Sequence, residues 1–115
     1  MKLQPVGVVT QAGQVARIRI APQYSDALVG VEPGSEYWVL YWMHRLSQPE
    51  RDMLQAHPMG DRSRARRGVF ALRSPMRPNP IGLTRVKLLE RDGNVLTVEG
   101  LDALEGSPVI DIKPY

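Results

Sequence analysis

Apolar and polar residues alternate with a period of two along much of this chain. In Val15–Ala21, Ala16, Ile18 and Ile20 share one face while Arg17 and Arg19 share the other, the signature of a half-buried strand. Val6–Thr10 predicts a strand before it. Tyr37–His44 is apolar on both faces, which predicts a central strand whose aromatic residues pack in the core. Gly68–Leu72 predicts a further strand. Along Ile81–Glu90 the apolar phase switches, with Ile81 and Leu83 on one face and Val86 and Leu88 on the other, so a bulge is expected near Thr84-Arg85. Arg91-Asp-Gly93 reads as a three-residue hairpin loop with Gly93 left-handed, a register that pairs Leu88 with Leu96 and Val86 with Val98. Pro108–Lys113 predicts the last strand.

Helical signals are few. Ser47-Gln-Pro-Glu50 supplies a cap and an acidic first turn, predicting a short helix to about Ala56 that His57-Pro58 ends. Pro22–Val29 predicts a short helix or an irregular turn, and Glu32-Pro-Gly34 a turn. Residues 58–67 lack an apolar period and read as a basic, mobile loop. Many short strands with ten glycines and ten prolines predict an all-β chain: a small antiparallel β-barrel with one or two short helices, one domain over residues 1–115. No glycine-rich turn joins a strand to a helix, so the doubly wound nucleotide-binding pattern is absent. No repeat or linker interrupts the chain.

Composition narrows the chemistry. With no cysteine there is no disulfide framework, thiolate metal site or thiol nucleophile. His44 and His57 stand apart, so no metal is expected. No apolar run approaches membrane-spanning length and the N-terminus lacks a signal-like region, leaving a soluble cytoplasmic protein as the expectation. The formal net charge is only +3, but Arg62, Arg64, Arg66, Arg67, Arg73 and Arg77 fall within sixteen residues. Guanidinium forks match phosphate and carboxylate in bidentate fashion, so the cluster reads either as a salt-sensitive nucleic-acid patch or as a solvated charged loop.

The stretch Arg73-Ser-Pro-Met-Arg-Pro-Asn-Pro-Ile-Gly82 is the most specific feature. Three prolines and an asparagine between Pro75 and Gly82 exclude helix and central strand and predict a stiff, extended loop presenting Arg73, Ser74, Arg77 and Asn79. Stiffness suits a ligand site, because little entropy is lost on binding; a rigid crossover between strands is the competing reading. The run Gly68–Thr84, then Gly100-Leu-Asp-Ala-Leu-Glu-Gly-Ser-Pro108, then Asp111-Ile-Lys-Pro-Tyr115, resembles the TsaA-like (YaeB/TrmO) family of S-adenosylmethionine-dependent tRNA methyltransferases. Looser likeness extends to Pro5-Val-Gly-Val8 and Tyr41-Trp-Met-His44.

The resemblance implies a compact β-barrel methyltransferase using S-adenosylmethionine, a tRNA acceptor at N6 of a threonylcarbamoylated adenosine, and a homodimer. It places the cofactor around His44-Arg45, Arg73 and Leu83, and the loop Asp102-Ala103-Leu104-Glu105-Gly106. On chemical grounds Arg73 suits the methionine carboxylate, Leu83 an adenine wall, and Asp102 or Glu105 the ribose hydroxyls. The threonyl carboxylate and the flanking phosphates favour the arginine patch at 62–77, with Arg62, Arg64, Arg66 and Arg67 expected on the substrate side. Arg77, Asn79, Asp111 and Lys113 read as substrate-binding or loop-shaping residues, with Asp111 and Lys113 alternatively a structural pair and Pro114-Tyr115 a packing anchor. Methyl transfer from a sulfonium needs no metal or protein nucleophile, in keeping with the lack of a triad or paired carboxylates.

Three departures stand out. Longer relatives carry a proline-arginine-glutamine stretch after the first strand, where this chain has Gln11-Ala-Gly-Gln14; they continue past the terminal motif; and Leu72 and Ser107 stand where threonine is usual. These leave two alternatives: the same chemistry on a small molecule, and a non-catalytic RNA-binding barrel. The second expects exposed aromatics for base stacking, whereas Tyr37–Trp42 reads as buried.

Overall fold

In the computed structural model, which describes residues 1–115, the elements in chain order are β1 (Gly7–Gln11), β2 (Val15–Ile20), β3 (Glu36–Trp42), α1 (Gln48–Arg51), β4 (Gln55–Ala56), β5 (Arg67–Gly68), β6 (Ile81–Asp92), β7 (Val95–Glu99) and β8 (Pro108–Pro114). Short 3₁₀ segments occupy Pro22–Leu28, Pro58–Gly60 and Val69–Ala71. They fall into two compact units, Met1–Met43 with Gly82–Tyr115, and His44–Ile81.

The first unit is a closed barrel of six strands in the order β1-β2-β7-β6-β3-β8, with β8 pairing back onto β1 through Gly7–Val109 and Val8–Pro108. Closure leaves no unpaired edge. The alternation expected of β2 holds: Ala16, Ile18 and Ile20 are buried and Arg17 and Arg19 exposed. Val9, Val39, Val86, Leu88, Leu96, Val98 and Val109 join them in one core. The barrel interior is thus filled by side chains. A small gap among Ile18, Val39, Val86 and Leu96 is wholly apolar and includes none of the predicted site residues.

Several local expectations change. β3 alternates, with Tyr37, Val39 and Tyr41 inside and Trp38, Leu40 and Trp42 half-buried outside. In β6 the phase does not switch at Thr84: Gly82, Val86 and Leu88 are all buried, and Leu83 is 43% exposed. The apparent switch came from reading Ile81 and Leu83 as inward positions, when glycine at 82 marks the inward site. The register shift lies instead between Leu88 and Glu90. It shortens the hairpin to a Gly93-Asn94 turn closed by Asp92–Val95, and pairs Leu88 with Val98 rather than Leu96. Gly93, with φ of 57°, does take the left-handed position, as the first residue of such a turn requires.

In the second unit the helix is a single turn, α1. Ser47 and Glu50 form a reciprocal capping box, but Asp52 ends the helix well before Ala56. Gln55-Ala56 then pairs with Arg67-Gly68 as a two-stranded ribbon. The segment expected to be a strand at Gly68–Leu72 is a 3₁₀ turn after Gly68. The basic stretch between is folded into turns: the His57 Nδ1–H donates to Arg64 O at 2.8 Å, and Ser63 N–H and Oγ–H both reach Asp61 Oδ1.

Candidate functional site

The barrel unit presents one loop with the makings of a polar ligand site, residues 100–107 between β7 and β8. Its backbone is fixed at several points. Gly100 N–H donates to Gln14 O, Gly106 N–H to Val9 O at 2.8 Å, and the buried Ser107 donates both N–H and Oγ–H to Leu104 O. Gly100 and Gly106 both have positive φ, so the loop turns sharply at each end. Leu101 is buried and Ala103 packs on the core. Between these anchors Asp102, Leu104 and Glu105 are exposed, and neither carboxylate has an ion-pair partner. The loop therefore offers two free carboxylates and an exposed leucine on a preorganised backbone.

Tyr41 reaches this loop from β3. Its buried hydroxyl donates to Asp102 O and accepts from Thr84 Oγ1 at 3.1 Å. Burial pushes the hydroxyl above the ordinary tyrosine range, the Asp102 charge adds to the rise, and the Thr84 bond opposes it. Sequence reasoning took Tyr41 for core packing and did not single out Thr84. The available signal was Gly82, a glycine inside a strand, which marks close approach of another group.

At the other end of β8, Lys113 pairs with Asp111 at 3.5 Å and Asp111 Oδ1 accepts the Ile112 N–H. Tyr115 lies against Trp38 with centroids 5.3 Å apart, and the Arg85 guanidinium stacks 3.7 Å over its ring while pairing with Glu36. The structure gives the terminal residues this packing.

In the second unit the proline loop is internally tied. Arg77 donates to Ser74 O at 2.9 Å, Leu72 O at 2.7 Å and Val69 O. Arg51 donates to Pro78 O, Asn79 O accepts the Ile81 N–H at 2.7 Å, and Ser74 Oγ accepts the Met76 N–H. Arg77 thus spends its fork on shaping the loop. By contrast His44, Arg45, Arg62, Arg64, Arg66, Arg67 and Arg73 are exposed, and none of these arginines has a carboxylate partner. Of the residues predicted for cofactor binding, Leu83 and Asp102–Gly106 lie in the barrel unit and His44, Arg45 and Arg73 in the second. No cluster of three or more metal-ligating side chains occurs.

A family profile described as the tRNA-methyltransferase O N-terminal domain matches residues 3–115. A probable S-adenosyl-L-methionine-binding protein of Methanothermobacter thermautotrophicus is 46% identical, over all of this chain and 90% of its own length. The tRNA (adenine(37)-N6)-methyltransferase of Escherichia coli is 41% identical over 84% of this chain and 43% of the enzyme. The crystal structure of TrmO from Pseudomonas aeruginosa superposes with a TM-score of 0.73 at 27% identity, covering all of this chain and 55% of that one. The chain therefore spans little more than half of that solved structure.

Proposed function

The chain belongs to the family of tRNA-methyltransferase O N-terminal domains, and we propose that it transfers the methyl group of S-adenosylmethionine to N6 of a tRNA adenosine, the threonylcarbamoylated base being the acceptor. The relatives' names supply the methyl donor and the tRNA substrate. The observation that carries the reading in this molecule is the loop Asp102–Gly106, held rigid by its backbone while both carboxylates stay free.

In the barrel unit a carboxylate or two suits ribose hydroxyls and Leu83 and Leu104 suit a purine face; in the second unit the unpaired Arg73 suits a methionine carboxylate. When bound, the cofactor supplies an electrophilic methyl group already activated by its sulfonium. The protein's task is then to hold the donor and aim the acceptor, with a proton acceptor needed for the N6 hydrogen that the new N–C bond displaces. Asp102 and Glu105 bind and orient; Arg73 anchors. The exposed arginines at 62, 64, 66 and 67 engage phosphates, and one of them the threonyl carboxylate. Asn79, Asp111 and Lys113 shape or flank the acceptor side, and His44 and Arg45 the cofactor side. A homodimer in the cytoplasm belongs to the same reading, since a chain this small gains buried surface by pairing.

Calorimetric titration of S-adenosylmethionine into the protein and into Arg73→Ala, followed by transfer of labelled methyl to tRNA, tests the proposal. Micromolar binding, weakened at least tenfold by the substitution, with label appearing in adenosine, is the expected result. Absence of binding by the unsubstituted chain in the presence of tRNA would overturn it.

A further inference from the structure

Phe70 is 88% exposed at the middle of the 3₁₀ turn Val69–Ala71. Scattered exposed apolar side chains are ordinary, but the backbone carrying this ring is held on both sides. Val69 is buried and donates its N–H to Leu54 O at 2.9 Å, and Leu72 N–H returns to Val69 O at 3.1 Å. The Arg77 guanidinium then ties the carbonyls of Val69 and Leu72, which bracket Phe70 in the chain. A large aromatic ring displayed on a fixed backbone loses little freedom when something lies against it.

The surrounding charge indicates what that something is. The unit His44–Ile81 carries eight arginines against Glu50, Asp52 and Asp61, a formal +5, whereas the barrel unit has seven basic residues against nine acidic ones. Asp61 and Glu50 accept hydrogen bonds from Ser63 and Ser47. Arg67, with no carboxylate partner, precedes Phe70 by three residues, within roughly 10 Å along the chain. An unpaired cation beside an exposed ring matches the phosphate-to-base step of a polynucleotide.

We propose that Phe70 is a stacking platform for an unpaired base of the RNA substrate, with Arg67 engaging the neighbouring phosphate. The inference rests on the tRNA reading above and adds the residue that grips a single-stranded segment. Any base offers a π face, so the ring contributes affinity without sequence preference, and the arginines contribute the salt-sensitive part. A second copy of the chain is a poorer occupant, since like faces would bring +5 against +5.

Fluorescence anisotropy with a labelled seven-nucleotide single-stranded RNA and with whole tRNA tests the assignment on Phe70→Ala and Phe70→Tyr. The expected result is affinity lowered on the order of tenfold by alanine and restored by tyrosine. The slope of affinity against salt and the S-adenosylmethionine affinity should stay unchanged, because the ring carries no charge. Equal RNA affinities for Phe70→Ala and the unsubstituted protein would overturn the stacking role while leaving the methyltransferase reading intact. No RNA binding by the unsubstituted protein would remove both. A sedimentation shift from dimer to monomer in Phe70→Ala, with RNA affinity retained, would assign the ring to a second copy and overturn the proposal.

Discussion

The ring of Tyr41 occupies the space that any side chain at position 82 would need. A Cβ added to Gly82 would fall on the ring carbons and the hydroxyl of Tyr41. β3 and β6 are neighbours in the barrel, so the missing side chain on one strand is what lets the phenol of the other lie flat across it. The hydroxyl at the end of that ring is tied to Asp102 O and Thr84 Oγ1. Gly82 thereby fixes where Tyr41 lies, and Tyr41 ties the start of the Asp102–Gly106 loop to the barrel wall.

Gly82→Ala is therefore expected to be destabilising although it adds a single methyl group. The ring cannot swing aside without breaking its hydroxyl bonds, so the cost is that of overpacking, about 1–3 kcal/mol. Urea unfolding monitored by tryptophan fluorescence gives the number; a change below about 0.5 kcal/mol would mean the ring has room to yield. Tyr41→Phe keeps the ring and should cost about 1 kcal/mol.

The same hydroxyl gives the fold an alkaline limit. Its pKa is raised in the folded state, so the unfolded chain ionises first as pH rises. The contribution is intact below the ordinary tyrosine range and is lost as pH climbs through the folded value. Glu50, held low by the Ser47 backbone and hydroxyl, and Asp61, held low by Ser63, act in the opposite direction. Their contribution is present at neutral pH and lost as pH falls through their depressed values. Thermal unfolding across pH should show both limbs, and Tyr41→Phe should flatten the alkaline one only.

Much of the barrel was legible in the sequence because period-two alternation survives wherever one face is buried, as in Ala16, Ile18 and Ile20. It failed at β6, where the inward residue is a glycine and carries no hydrophobic signal. The candidate loop at 102–106 was legible only through a motif resemblance; its backbone anchors at Val9 and Gln14 are long-range and leave no local trace. Arg77 reads as either a ligand residue or a loop-shaping one, because exposed and inward arginines look alike in a sequence. Phe70 reads only as part of the strand expected at Gly68–Leu72, because an apolar residue between apolar neighbours gives no sign that it faces water.

Arg77 makes a prediction of its own. Its planar fork reaches three carbonyls, a geometry that an ammonium cannot reproduce. Arg77→Lys should loosen residues 69–74 despite keeping the charge, at a cost of about 1.5–3 kcal/mol for lost charge-assisted bonds. Hydrogen exchange should quicken at the Leu72 and Met76 amides, both bonded within this loop, while the barrel amides hold their rates. Exchange unchanged at these two amides would show that the prolines alone keep the loop in place.

The unpaired arginines predict how RNA affinity responds to salt. Each cation that neutralises a phosphate releases counterions, and for single strands the log–log slope changes by about 0.7 per contact. Arg64→Ala and Arg66→Ala remove guanidinium groups that no carboxylate neutralises in the folded chain. Each should reduce the slope by about that amount and weaken binding to all sequences alike. The double substitution should be additive, because two exposed side chains with separate phosphate partners share no contact to couple them. Anisotropy titrations between low and physiological salt measure this directly. Unchanged slopes would mean that the arginines at 62–67 form a solvated face and that phosphate is bound elsewhere on the chain.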